Sequence, residues 1–333
     1  MITFYLHTMN NITALAVLVI ILGCARPVPA QENRPYRLSV IPQTGMFYGK
    51  AEEIVYPTDT DVEKLSELLW DIKPVFYYGL ELDFSRADPM EKWGLFSALS
   101  LKSGFPGASG KMEDRDWLSV ENNALTNYSE HNNFTRELLT IDFSAGGSIP
   151  LKYNLLLKPY LNVSYMRFSF SGEGGHGIYA RSTGSGVYAS IDDAPDYWEF
   201  PDGEKVINYS QEWMAFSPGI SLGWFFLDNF FTELSFQISP LVYCSDLDEH
   251  IGRQIQFRDY MDGGLFLQPA FRFSYISGTW FDISLDISWR FITENKGVTY
   301  QSSPIGSGLY AMAGNAGAGL SLMDLGLKMK IRL

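Results

Sequence analysis

Two short runs of the 333-residue chain carry residue types that can move protons. One is Met112-Glu113-Asp114-Arg115-Asp116-Trp117, and the other is Ser245-Asp246-Leu247-Asp248-Glu249-His250. In an extended backbone, side chains two apart point the same way. Asp114 and Asp116 therefore share a face, as do Asp246, Asp248 and His250. A histidine beside an acid is a general base with a group to orient its ring. Two neighbouring carboxylates repel and can share one proton. Such a set could activate a water without any Ser, Cys or Thr nucleophile. Acidic runs are also common as solvated loops, and spacing alone favours that plainer reading.

The remaining candidates are weaker. Cys244 adjoins the second run but has no histidine at a thiol-enzyme spacing, so it reads as structural. His131, in Tyr128-Ser129-Glu130-His131, reads as a residue supporting a site or as a merely polar loop residue, rather than as catalytic. Gly172-Glu173-Gly174-Gly175-His176-Gly177 formally matches a dinucleotide fingerprint. No βαβ unit surrounds it, so the expectation is a flexible outer loop. The histidines are not at metal-ligand spacing, and neither a metal nor another cofactor is expected.

The elements that would position these residues follow from composition and periodicity. Aromatic residues make up 15% of the chain, which excludes a disordered tail. Sixteen prolines and thirty glycines along the length argue against a helical bundle. The net charge of -13 excludes a generic nucleic-acid binder and favours cationic partners. Residues 1–30 read as a signal peptide, with an apolar core from Ile12 to Ala25 that is shorter than the ~20 residues of a membrane helix. Val28-Pro29-Ala30 supplies the small residues of a cleavage site. Ile21-Leu22-Gly23-Cys24 is the rival, a lipoprotein-like processing site. Cleavage after Ala30 leaves Cys244 alone, so no disulfide holds the exported single domain of 31–333.

Strands must hold it instead. Phe281, Ile283, Leu285, Ile287, Trp289 and Phe291 alternate with Asp282, Ser284, Asp286, Ser288 and Arg290. Leu325, Leu327, Met329, Ile331 and Leu333 alternate in the same way with Gly326, Lys328, Lys330 and Arg332. Period two with one apolar and one charged face describes a strand wet on one side, in a soluble sandwich or in a membrane barrel. Aromatic residues at the ends of the apolar faces point to the barrel. So do strands longer than the ~5–6 residues usual in soluble sheets. Short connections at Ser277-Gly278-Thr279 and Asp228-Asn229 alternate with long polar stretches at 171–208 and 292–313. The expected fold is all-β: a transmembrane antiparallel β-barrel of about ten strands with long extracellular loops. The strands fall near 36–56, 66–86, 93–112, 131–148, 152–171, 207–225, 230–246, 255–276, 280–295 and 314–333.

From about residue 45 to its end the chain resembles the omptins, outer-membrane proteases built on a ten-stranded barrel. The resemblance rests on Gly49-Lys50-Ala51-Glu52-Glu53-Ile54-Val55-Tyr56, Glu113-Asp114-Arg115-Asp116-Trp117 and Ser245-Asp246-Leu247-Asp248-Glu249-His250. Arg167-Phe168-Ser169-Phe170 and Pro201-Asp202-Gly203-Glu204-Lys205 add softer matches. It implies that Asp114 and Asp116 face Asp248 and His250 across the barrel mouth, as the catalytic set of an aspartic-type endopeptidase. It also implies that Glu53 and Asp246 bind a basic side chain ahead of the scissile bond. The implied partners are cationic peptides or proteins as substrates and outer-membrane lipid. The implied setting is a monomer with its active site facing the extracellular side.

Two readings stay open beside this one. A catalytically idle barrel, serving as an adhesin or host-protein binder, would keep the fold and the acidic rim. A passive pore is a weaker alternative, because about ten strands enclose too narrow an interior. The resemblance also has a gap. Omptins need lipopolysaccharide, held by a Tyr-x-Glu-x-Arg run and a second Arg on a neighbouring strand. Here the run is Val163-Ser164-Tyr165-Met166-Arg167 and the neighbouring position is Glu212, so only Arg167 remains. Independence from lipopolysaccharide is the expectation.

Overall fold

The computed structural model describes residues 35–57, 63–119, 123–184, 187–193, 195–277, 281–307 and 311–333. The expected leader at 1–30, with Cys24, lies outside these residues, as does most of the Ser277-Gly278-Thr279 connection. Ten antiparallel strands form the wall. They are β1 (Tyr36–Tyr56), β2 (Ser66–Arg86), β3 (Gly94–Gly104 and Gly107–Asp116), β4 (Asn127–Pro150) and β5 (Leu155–Ala180). They continue with β6 (Pro195–Phe226), β7 (Phe230–Ser239 and Val242–His250), β8 (Ile255–Asp262 and Phe266–Ile276), β9 (Phe281–Ser302) and β10 (Ala311–Arg332). Each strand pairs with the next, and β10 returns to β1 in a ladder running from Ser39↔Arg332 to Tyr56↔Asn315. The ring is therefore closed and has no edge to satisfy in lipid.

The outward face carries an apolar band with Phe76, Leu95, Leu161, Trp224, Leu234, Ile283 and Trp289 among its exposed members. Turns at the leader end are short. Tyr153 and Asn154 both adopt positive φ, 63° and 59°, which suits the tight reversal between β4 and β5. At the other end the band stops at a collar of outward charges: Lys50, Glu137, Arg167, Glu212, Asp262 and Lys296.

Beyond that collar the strands do not give way to loops. The stretches 171–208 and 292–313, expected to be long polar connections, are largely strand: β5 runs to Ala180, β6 starts at Pro195 and β9 ends at Ser302. Above the lipid the outer face meets water, so the period-two apolar signal stops while backbone pairing continues. The Gly172–Gly177 run is likewise part of β5, at a bulge where the register shifts. Gly175 has φ +99°, and a Cβ there would lie 2.0 Å from the Glu130 carbonyl oxygen, so only glycine fits.

The apolar face also changes sides. In β5, Leu161 and Val163 point outward at membrane level, whereas Met166, Phe168 and Phe170 are buried inside beyond it. Trp70, Ile72, Tyr209, Trp213, Phe266, Ile292 and Leu322 join them in one interior core. Trp70 stacks between Phe170 and Tyr209 at centroid distances of 5.5 and 5.4 Å. This aromatic layer forms the floor beneath the charged mouth.

Below the floor, at membrane level, the lumen is filled by paired charges. Lys328 lies 2.8 Å from both Glu81 and Asp286, and Arg272 takes Asp286 at 2.8 Å. Arg290 pairs with Asp142 at 2.6 Å, and Lys102 with Asp324. Ion pairs buried together offset the cost of desolvation, whereas breaking one leaves a charge unmatched. Lys328→Met would leave Glu81 and Asp286 short of a cation. We expect it to lower the urea unfolding stability of the refolded barrel by about 3–5 kcal/mol. Unfolding followed by tryptophan fluorescence and gel mobility measures this.

Candidate active site

The second segment of β3 places Asp114 and Asp116 on its inner face and turns Arg115 outward to Glu113 and Glu67. Asp114 pairs in register with Leu68 of β2 and Ser129 of β4. It accepts a 3.4 Å contact from the Ser66 hydroxyl, and the Asn127 amide donates to Asp116 at 3.0 Å. Burial, and then the charge of Asp116, push the Asp114 carboxyl well above the usual carboxylate range.

On the opposite wall β7 carries Asp248 and His250, held in register against Tyr209 and Ile207 of β6. The Nε2 of His250 lies 2.7 Å from Oδ2 of buried Asp248. That contact fixes the ring and leaves Nδ1 facing Arg253, whose guanidinium donates to it. Asp114, Asp116 and His250 line one cavity of about 300 Å³ with Met112, Tyr179 and Phe200. The two acid-bearing pairs expected to meet do meet.

Glu53 and Asp246 converge beside Asp248. Both are buried, at 2% exposure each, and each keeps a carboxylate oxygen without a hydrogen-bond partner. Tyr209 donates to the other oxygen of Asp246 at 2.9 Å. Burial raises the Glu53 carboxyl well above its ordinary value, and the charges of Asp248, Asp246 and Asp259 add to it. Asp246 is raised by burial and by Asp259. The two residues expected to hold a cation are thus buried together, with their carboxyls pushed towards the protonated form.

The model of the omptin family matches residues 34–331 of this chain. The chain belongs to the omptin family. It is similar to the plasminogen activator of Yersinia pestis, 26% identical over 316 residues that cover 92% of this chain and 93% of that protein. It is also similar to the outer membrane protease OmpP of Escherichia coli K12, 26% identical over 270 residues covering 80% of each. Among solved structures, the outer membrane protease OmpT of Escherichia coli superposes with a TM-score of 0.78 at 21% identity, covering 90% of this chain and 97% of that one. That likeness establishes the ten-stranded barrel as the shared fold.

Three residues of this omptin's mouth were missed by sequence reasoning or misplaced. Asp259 of β8 pairs in register with Asp246, and Thr299 donates to it at 2.6 Å. Counting back through the four-residue turn at 251–254 would have put the two acids side by side, but only with the β7–β8 register known. Arg253 sits in that turn, and no local pattern marks it. His131 is on strand β4 rather than in a loop. It is buried, with Nδ1 2.5 Å from the Gly174 carbonyl oxygen and Nε2 3.0 Å from the Ser129 hydroxyl. Burial lowers its pKa and favours the neutral ring.

Burial raises Asp259 to about 6, helped by the charge of Asp248. A carboxyl with a raised native pKa holds its proton longer in the folded state than in the unfolded one. Its contribution to stability is therefore full below about pH 4 and is lost as pH rises through about 6. Asp259→Asn removes that loss. It should stabilise the refolded barrel at pH 8 by on the order of 1–3 kcal/mol and leave it nearly unchanged at pH 4. Urea titrations at the two pH values read the difference.

Proposed function

We propose that this omptin is an outer-membrane endopeptidase that hydrolyses peptide bonds next to basic residues, with its active site facing the extracellular side. One observation carries the reading. His250, held by Asp248, and the Asp114-Asp116 pair line one cavity, and the buried acids Glu53 and Asp246 lie beside Asp248. The names of two relatives, a plasminogen activator and an outer membrane protease, point the same way.

In this mechanism a water between the two pairs attacks the scissile carbonyl. His250 takes its proton, and Asp248 orients the ring and stabilises the imidazolium, the role a buried acid plays in a serine-protease triad. The raised carboxyl of Asp114 keeps a proton that can be donated to the developing oxyanion. The same proton, or that on His250, then reaches the leaving amine. Arg253 must leave Nδ1 before the ring can act as base, and the incoming substrate carbonyl displaces it. Glu53 and Asp246 hold the basic side chain by charge-assisted hydrogen bonds. The reaction is aspartic-type, needs no metal and is carried out by a monomer.

A fluorogenic peptide with one basic residue, incubated with refolded protein, tests the reading and separates it from an idle adhesive barrel. Asp114→Asn, Asp116→Asn, Asp248→Asn and His250→Ala should each lower kcat/KM by about 10²–10⁴-fold with the barrel still folded. Full turnover in folded His250→Ala would remove the base from the mechanism.

The proposed enzyme works without lipopolysaccharide. Arg167 is flanked on the outer wall by Glu137 at 3.4 Å and Glu212 at 3.6 Å, so its charge is already balanced where a lipid phosphate would need it free. Activity in detergent should be the same within about fivefold with and without added lipopolysaccharide, since the loss of one surface ion-pair partner is worth under ~1 kcal/mol. A strict requirement would assign the lipid to another basic cluster.

A further inference from the structure

At the end of the lumen away from the catalytic cavity lies another, of about 320 Å³, within the size range of small-molecule sites. Its lining is basic in a chain whose net charge is -13: six Lys and Arg stand against two acids, Asp83 and Asp282. Four of the six bases are matched. Lys330 pairs with Asp83 at 2.6 Å and Arg332 with Asp282, while Lys158 and Arg272 take Glu233 and Asp286 deeper in the lumen. The other two are Arg37 and Arg86. Among the described residues the Arg37 guanidinium has no partner. The Arg86 side chain is only 8% exposed; it reaches the exposed Glu91 at 3.0 Å, and its Nε has no partner. One acceptor is also unmatched in this cavity, Oδ1 of buried Asp282.

Backbone pairing sets these groups side by side. β2, β1, β10 and β9 are consecutive in the wall. Arg37 pairs in register with Ser85, next to Arg86; Ser39 pairs with Arg332, and Asp282 with Lys330. Donors without acceptors and an acceptor without a donor together fit an oxyanion that still carries a proton. We propose that this cavity binds inorganic phosphate, with Arg37 and Arg86 donating to its oxygens and Asp282 accepting from its P–OH. Near neutral pH phosphate keeps at least one proton. Sulfate keeps none, and neither does a phosphodiester such as a membrane lipid headgroup. A phosphate monoester, with a second pKa of about 6, has mostly lost its own. Charge-assisted hydrogen bonds from arginine supply the affinity. The Asp282 carboxylate supplies the choice, because it repels an oxyanion that has no proton to give it. On the reading above this end opens to the periplasm, and the site does not depend on the peptidase chemistry.

Calorimetric titration of the refolded barrel in nonionic detergent at low salt and neutral pH tests this. The titrants are inorganic phosphate, sulfate, glycerol phosphate and dimethyl phosphate. Phosphate should bind saturably at one site, at least about tenfold more tightly than the other three, the equivalent of one charge-assisted hydrogen bond. Arg37→Gln should weaken phosphate by about tenfold or more. Because Arg37 has no partner to lose among the described residues, this variant should keep its fold and cut a basic peptide at the wild-type rate. Arg86→Gln should weaken phosphate to a similar degree. Asp282→Ala frees Arg332 and removes the acceptor, so sulfate should bind more tightly and come within about threefold of phosphate. Phosphate that binds the wild-type protein no better than sulfate overturns the inference, as does unchanged phosphate binding in folded Arg37→Gln and Arg86→Gln. Tighter binding of glycerol phosphate or dimethyl phosphate would assign the cavity to an esterified headgroup, and also overturns it. A barrel that binds phosphate as described but cuts no peptide would remove the endopeptidase reading and leave this inference standing.

Discussion

Backbone pairing around a closed ring is the constraint on which the rest of this molecule depends. In lipid every N–H and C=O must find a partner within the protein, and ten strands joined from β1 round to β10 leave none exposed. The same ladder does not stop where the lipid stops. It carries β3, β5, β6, β7 and β9 beyond the charged collar, so residues at the mouth are mounted on paired strands rather than on loops. A site that must hold two walls of acid at fixed separation gains its rigidity from that continuation.

The interior is divided into layers by charge. At membrane level acids and bases alternate and cancel, as in Lys328 between Glu81 and Asp286. An aromatic floor built on Trp70, Phe170 and Tyr209 follows. Above it the acids of the pocket stand without bases, and burial raises Glu53, Asp246 and Asp259. The fold tolerates there what it balances below. Buried acids without a basic partner are unfavourable for folding.

Much of this was legible along the chain. Alternation of Ile283, Leu285 and Ile287 with Ser284 and Asp286 specifies a strand with one lipid face, because a strand's side chains repeat every two residues. Strand number, order and most lower boundaries follow from such runs. The Asp114-Asp116 and Asp248-His250 pairs were also visible, since parity alone puts each pair on one face. The upper parts of β5, β6 and β9 were not legible. There the apolar face moves from outside, at Leu161 and Val163, to inside, at Phe168 and Phe170, and a local pattern cannot say which side is lipid.

Sequence by itself determined the barrel, its strand order and which acid and histidine side chains share a strand face, because those depend on period, charge and neighbours within a few positions. Tertiary structure alone decided which residues meet. Asp259 lies 13 positions from Asp246 and Glu53 almost two hundred, yet all three are buried close together because the β7–β8 register and closure of the ring bring them there. The same closure puts Arg253 on the His250 ring and Glu212 beside Arg167. Register and closure are set by the summed pairing of all ten strands, so no stretch of sequence carries them alone.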